Sequence, residues 1–460
     1  MTSPQQLAEH ALAHTTSTSC LVLVSTTHSA NLRWANNTLT TNGVMESATM
    51  SVIAINGAQV ASVSGAAHTT EQVEQLVAQA DAQARVAALS EDCQSLVVPP
   101  AGMDLDTWDL TPGQTSIDVY ASFAHSLGEA FSTARAAGRI LYGFVNHEIT
   151  TTYLASSTGL RLRHEQPTGH YGCTGKTADL TGSAWVGGAT RDFHGVDARL
   201  LDATLGARLA WGLRRVELPA GRYDTVLPPS AVADLMIGAY FSAGARVAHE
   251  GQSVYALPGG GTKVGKQITG PGVTLVSDPA YPGLECAPFV MTSSSGNDSS
   301  VFDNGLPLAR TEWIRDGRLT ALIQTRHSST LTDLPTTAAI DNLVLSVEGA
   351  SGDEMDLVRC VDRGLLLTCL WYIREVDPQS LLLTGLTRDG VYLIEGGEIV
   401  GAVNNFRFNE SPIDLLNRIH AASATQPSFS REWGEDYFSR TATPALRISD
   451  FNMSSVSQAL

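Results

Sequence analysis

The chain has 460 residues, of which 43% are hydrophobic and only 16% charged, with a formal net charge of -17. That length exceeds what one hydrophobic core usually organises, so two or three domains are expected. The acidic balance argues against a nucleic-acid partner, because phosphate binding needs a surplus of Lys and Arg.

In chain order, Met1 to His14 lacks the basic start, apolar core and small-residue cleavage site of a signal peptide. No later apolar run approaches the roughly 18 residues of a membrane span, so a cytoplasmic location is expected. A short helix near Pro4–Ala13 leads into a strand at Leu21–Ser25. From Ala30 to Ser64 strand and turn alternate, and Asn56-Gly57 between two β-rich runs is a hairpin signal. Thr69 with Gln72 forms a capping box opening a helix whose apolar positions Val73, Leu76, Val77, Ala80 and Ala84 recur at helical spacing.

The Pro/Gly-broken stretch from Val97 to Gly113 reads as a connection. Beyond it, Ile117–Ala137 is predicted helical with Gly138 as its stop, Leu141–Trp185 reads as a β-meander, and Ala198–Arg214 as a further helix. Leu218–Pro229 gives a turn, a strand and a stop. Ser230 is the expected cap of a helix carrying Val232, Leu235, Met236, Ala239 and Tyr240. Past Gly251 short apolar runs alternate with Gly, Asp or Asn, for instance Val273–Val276, Leu319–Gln324, Leu365–Trp371 and Val391–Ile394.

The predicted class is α+β. An N-terminal domain, 1–216, holds antiparallel sheets with covering helices, in subregions 1–95 and 115–216. A C-terminal domain, 217–460, is largely antiparallel β with a few helices.

Several local patterns carry little chemistry. The cysteines Cys20, Cys93, Cys173, Cys286, Cys360 and Cys369 form no CxxC pair and read as reduced, mostly buried thiols. Gly260–Gln267 nearly spells a phosphate loop, but Gln267 stands where Ser or Thr would bind magnesium, so a turn is expected. Ser293–Ser300 reads as a mobile loop, and no GxSxG elbow is present for a serine nucleophile. Asp234 and Glu250 show no evident partner. Asn36-Asn37-Thr38 matches a glycosylation acceptor only formally, since a cytoplasmic chain would not meet that machinery.

Along most of its length the chain resembles the TldD/PmbA family. Ala30–Thr40 with the following hairpin is similar to that family's opening sheet, and Tyr153–Leu160 to its Ser/Gly signature. Pro219–Pro228 is similar to the start of its C-terminal domain. Ser253-Val254-Tyr255, Phe302–Gly305, Gly317 and Gly390–Ile399 continue the likeness in order. The resemblance implies a metallopeptidase built from two homologous subunits, in which TldD supplies the metal through HExxxH on a helix and a downstream cysteine. Such a zinc site needs two neutral imidazoles, a third ligand and a carboxylate base.

The three His-Glu pairs of this chain do not complete the motif. His147-Glu148 and His249-Glu250 lack a second histidine at the right spacing, and Pro167 breaks any helix between His164 and His170. His164 and His170 read as members of a polar surface strand. Counting back from Ser253-Val254-Tyr255 at the family's spacing puts Met236, Ile237 and Phe241 at the His, Glu and His positions, and all three read as core. No cysteine follows Cys369. The resemblance therefore implies a TldE/PmbA-like subunit with no catalytic, cofactor-binding or metal-binding residues of its own. Zinc or a similar divalent metal is expected in a TldD-like partner, and an extended or unfolded peptide as substrate. Two alternatives stay open: a subunit of an amide hydrolase acting on a small biosynthetic intermediate, and a non-enzymatic homodimeric scaffold or regulator.

Overall fold

The computed structural model describes residues 2–99, 107–434 and 440–458. The N-terminal unit is one six-stranded antiparallel sheet built from β1 (Ser19–Ala35), β2 (Thr38–Asn56), β3 (Gln59–Ala66), β4 (Arg139–Ser156), β5 (Arg161–Thr177) and β6 (Ser183–Thr190), in the order β3-β2-β1-β4-β5-β6. β1 pairs with β4 from Leu21↔Ser156 to Trp34↔Gly143. The two expected subregions thus share a single sheet. Of the connection expected between them, residues 100–106 lie outside the described residues.

Local chemistry explains most of its boundaries. Gly57 takes φ +64° in the two-residue turn between β2 and β3, a conformation that costs glycine little. The helices are α1 (Pro4–His14), α2 (Thr70–Ala84), α3 (Ala121–Ala136) and α4 (Ala198–Trp211). Capping boxes at Ser3/Gln6 and Thr69/Gln72 open the first two, and Gly138 at φ +66° follows the end of α3.

Alternation along β1 sorts the layers. Cys20, Val22 and Val24 face α1 and α2 through Leu7, Ala11, Val73 and Val77. Further along the same face, Ala30, Leu32 and Trp34 meet Phe123 and Leu127 of α3 and Leu205 of α4. Leu21 and Leu23 point the other way, onto Phe289, Val301 and Phe302 of the C-terminal unit. The sheet is therefore covered by helices on one face and partly by the second unit on the other.

Arg215–Val216 already pair with Glu398–Val403, so the C-terminal sheet begins there. This unit contains a ten-stranded sheet, with Gly221–Leu227 beside Leu446–Val456 and Arg363–Leu367, and a six-stranded sheet that includes Val273–Ser277, Leu343–Val347, Gln426–Ser428 and Thr441–Thr443. Among the described residues, pairing between the strands of these sheets is antiparallel except for three short parallel contacts. The expected Leu319–Gln324 strand is confined to Arg318–Leu319. Beyond it the chain makes only single bridges, through Ile323 and Gln324.

Between the two sheets lies α5 (Pro229–Phe241), in contact with Gly221–Leu227 of one and with Gln426–Ser428 and Thr441–Thr443 of the other. Pro228 supplies the extended N-cap conformation and no side chain caps the helix; Ser230 lies inside the first turn, not at the cap. Pro229 begins the helix at no cost in hydrogen bonds, because the first helical N–H has no internal acceptor.

Candidate functional site

A helix that is apolar all round must be buried, and α5 is. Met236 and Ile237 are fully enclosed in the C-terminal core. Phe241 departs from the expectation. It lies 44% exposed at the helix's last residue, its ring 6.4 Å from that of Trp433, while Tyr240 beside it is buried in the core.

The polar feature of α5 is Asp234, only 1% exposed. Its Oδ1 accepts from the Ser430 hydroxyl at 2.6 Å and from the Glu432 N–H at 3.0 Å, while the buried Oδ2 meets no partner among the described residues. Burial pushes its carboxyl up to about 7, against the opposing pull of those two donors. The Trp433 indole N–H donates to the Asp234 carbonyl at 3.1 Å. Segment 430–433 is thereby clamped along the helix.

The clamp extends outward. The Glu432 carboxylate accepts the N–H groups of Tyr372 at 3.0 Å and Ile373 at 2.9 Å, holding Tyr372 at φ +52°. The Arg431 guanidinium lies 3.8 Å from the Trp371 ring centroid and 4.8 Å from that of Trp185, which comes from β6 of the N-terminal unit. Arg431 Nε and Trp371 Nε1 are both buried, with no partner among the described residues. Phe429, next in line, stacks on His170 of β5 with centroids 5.9 Å apart and planes 9° from parallel.

One short segment therefore joins α5 to both units. It gathers three of the six buried polar atoms that meet no partner among the described residues, one acceptor and two donors. A carboxyl that titrates near neutrality can hold or release a proton there.

His164 and His170 are not surface residues of one site. Six residues apart on β5, they are separated by about 20 Å at strand rise. His164 Nε2 lies 3.1 Å from Gln166 Oε1, and burial lowers both imidazoles, that of His170 to about 4. His147 is buried between the Thr115 hydroxyl and the Arg191 carbonyl, each at 2.7 Å. His249 is exposed at the end of a short helix, Ala245–His249. Glu250 pairs with Arg246 at 3.2 Å.

Among the described residues, the side chains around α5 do not make a zinc donor set, which needs about three nitrogen, thiolate or carboxylate ligands on one ion. Asp234 is the helix's single carboxylate, and burial pushes the neighbouring Cys369 thiol up to about 12, far from thiolate. Gly260–Gln267 forms a turn with Gly260, Gly261 and Gly265 at positive φ and no helix behind it, so it is no phosphate cradle. The Ser293–Ser300 loop is held rather than mobile: the Ser295 and Ser300 hydroxyls each donate to Asp92 Oδ2 at 2.6 Å. All six cysteines are free, four of them buried.

Sequence reasoning singles out Asp234 but not its partners, and misses Arg431 and Trp371. The one available signal was an acidic residue in an otherwise apolar helix.

Residues 220–455, over half of the chain, match the family model described as the PmbA/TldA metallopeptidase C-terminal domain. The chain belongs to the PmbA/TldD metallopeptidase family. Among solved structures, TldE from Thermococcus kodakarensis is similar over 97% of this chain and 99% of its own, with a TM-score of 0.76 and 16% identity. A proposed modulator of DNA gyrase from Thermotoga maritima is similar over 94% and 95%, with a TM-score of 0.74 and 14% identity. A protein of the same description from Bacteroides thetaiotaomicron covers 98% of each chain, with a TM-score of 0.73 and 14% identity. At such identities the likeness is one of fold. No curated protein matches the chain.

Proposed function

We propose that this chain is the non-catalytic, TldE-like subunit of a two-subunit metallopeptidase whose TldD-like partner carries the metal. The observation behind this reading is α5. Two of the three positions assigned to the family's ligands and base, Met236 and Ile237, are packed core, and the third, Phe241, is an exposed aromatic. None can bind zinc or take a proton from a bound water.

In this reading the substrate is an extended or unfolded peptide, held by main-chain hydrogen bonds with little sequence demand. The α5 clamp then shapes the wall of the shared chamber, with Asp234 and Arg431 fixing segment 430–433. Peptide-bond hydrolysis belongs to the assembled pair.

Co-expression with a TldD-like chain bearing HExxxH tests this. The expected result is a stable heterodimer that cleaves an unfolded peptide, loses activity to chelator, and loses it when the partner's motif is replaced; the isolated chain cleaves nothing. Chelator-sensitive cleavage by the isolated chain would overturn the reading. Failure to associate with the TldD-like chain, with self-association instead, would replace it by the homodimeric scaffold.

A further inference from the structure

We propose that His10, His14 and Glu74 form a surface site for a divalent transition metal of the zinc type, tying α1 to α2. This site is remote from α5 and independent of the subunit assignment. It is the one group of three or more His, Cys, Asp or Glu ligand atoms close enough to share an ion among the described residues.

His10 and His14 stand one helical turn apart on α1, the spacing that brings two side chains to one face. Their ring centroids are 3.9 Å apart. The His14 Nδ1 lies 2.8 Å from the His10 carbonyl, which can only accept, so Nδ1 carries the hydrogen and Nε2 keeps a lone pair. A hydrogen bond of this kind on the far nitrogen fixes the tautomer and ring orientation of a metal-binding histidine. The Glu74 Oε1 lies 3.0 Å from His10 Nε2 and 3.9 Å from His14 Nε2.

The three ligand atoms lie within 4.8 Å of one another. A tetrahedral zinc ion with bonds of about 2.0–2.1 Å holds its ligands about 3.3 Å apart, so small side-chain rotations close the site. Two imidazoles and one carboxylate are a zinc donor set, with water in the fourth position. The side chains are 24%, 46% and 52% exposed, leaving an ion free to enter.

The competing outcome is a plain His10–Glu74 hydrogen bond with no ion. Equilibrium dialysis of the full chain against zinc chloride, with thermal unfolding alongside, separates the two. The expected result is one zinc per chain and a raised unfolding temperature in zinc. His10→Gln, His14→Gln and Glu74→Gln should each weaken uptake, the histidine variants about tenfold or more. His125→Gln, which alters an exposed histidine 3.4 Å from Glu129 on α3, should leave uptake unchanged. Zinc-dependent shifts of the His10 and His14 imidazole resonances in the unaltered chain give a readout that needs no variant to fold. Uptake by the His10→Gln/His14→Gln double variant equal to that of the unaltered chain, or no imidazole shift on adding zinc, would overturn the site.

Discussion

At the scale of single residues, Asp234 carries a specific pH signature. The unfolded carboxyl ionises near its ordinary value of about 4, while the folded one does so near 7. Between those values the folded state binds more protons, so this contribution to stability is complete below pH 4 and is lost as pH rises through 7. Asp234→Asn keeps an oxygen for Ser430 and Glu432 but does not titrate. The variant should gain on the parent between pH 5 and pH 8, by on the order of 1–3 kcal/mol in denaturant unfolding; parallel pH profiles would contradict this. The three motif positions also separate here. Met236→His buries an unpaired imidazole in apolar core and should cost about 2–5 kcal/mol. Phe241→His, at an exposed position, should cost less than about 1 kcal/mol, and equal losses in unfolding experiments would refute the distinction.

At the scale of elements, what the sequence makes legible is what neighbours in the chain decide. The Asn56-Gly57 turn, the Thr69/Gln72 box and the stop at Gly138 are local chemistry and stand where expected. Features decided by distant partners were not legible. Ser293–Ser300 has a loop composition, yet Asp92, some two hundred positions earlier, holds it through Ser295 and Ser300. Asp234 likewise has its donors near residue 430. The start of α5 differs from the sequence expectation for a local reason, since Pro228 already has the extended N-cap conformation that the sequence assigns to Ser230. Burial works against the Asp92 carboxylate, but the Ser295, Ser300 and Ser90 hydroxyls hold it below its ordinary value. Asp92→Ala should therefore free the loop, and limited proteolysis should cut between 293 and 300 several times faster than in the parent. An unchanged cleavage pattern would show that the serines are not what holds it.

At the scale of the whole molecule, the two units meet through an apolar patch that joins Leu21, Leu23 and Ile53 to Phe289 and Phe302. Polar ties surround it: Arg191 with Glu285, Arg246 with Glu91 at 2.5 Å, and Arg326 donating to the Ser95 carbonyl at 3.1 Å. Exposed pairs of this sort contribute about 0–1 kcal/mol each, so the apolar patch contributes more to holding the units than the charges do. The Arg431 sandwich crosses the same boundary, with Trp185 contributed by one unit and Trp371 by the other. Any parting of the units must draw Trp185 away from the cation while Trp371 stays with it. One indole then meets water, and its emission moves to the red. The difference spectrum between the parent and a Trp185→Phe variant thus makes this contact an optical gauge of the gap, readable while a partner or a peptide is added.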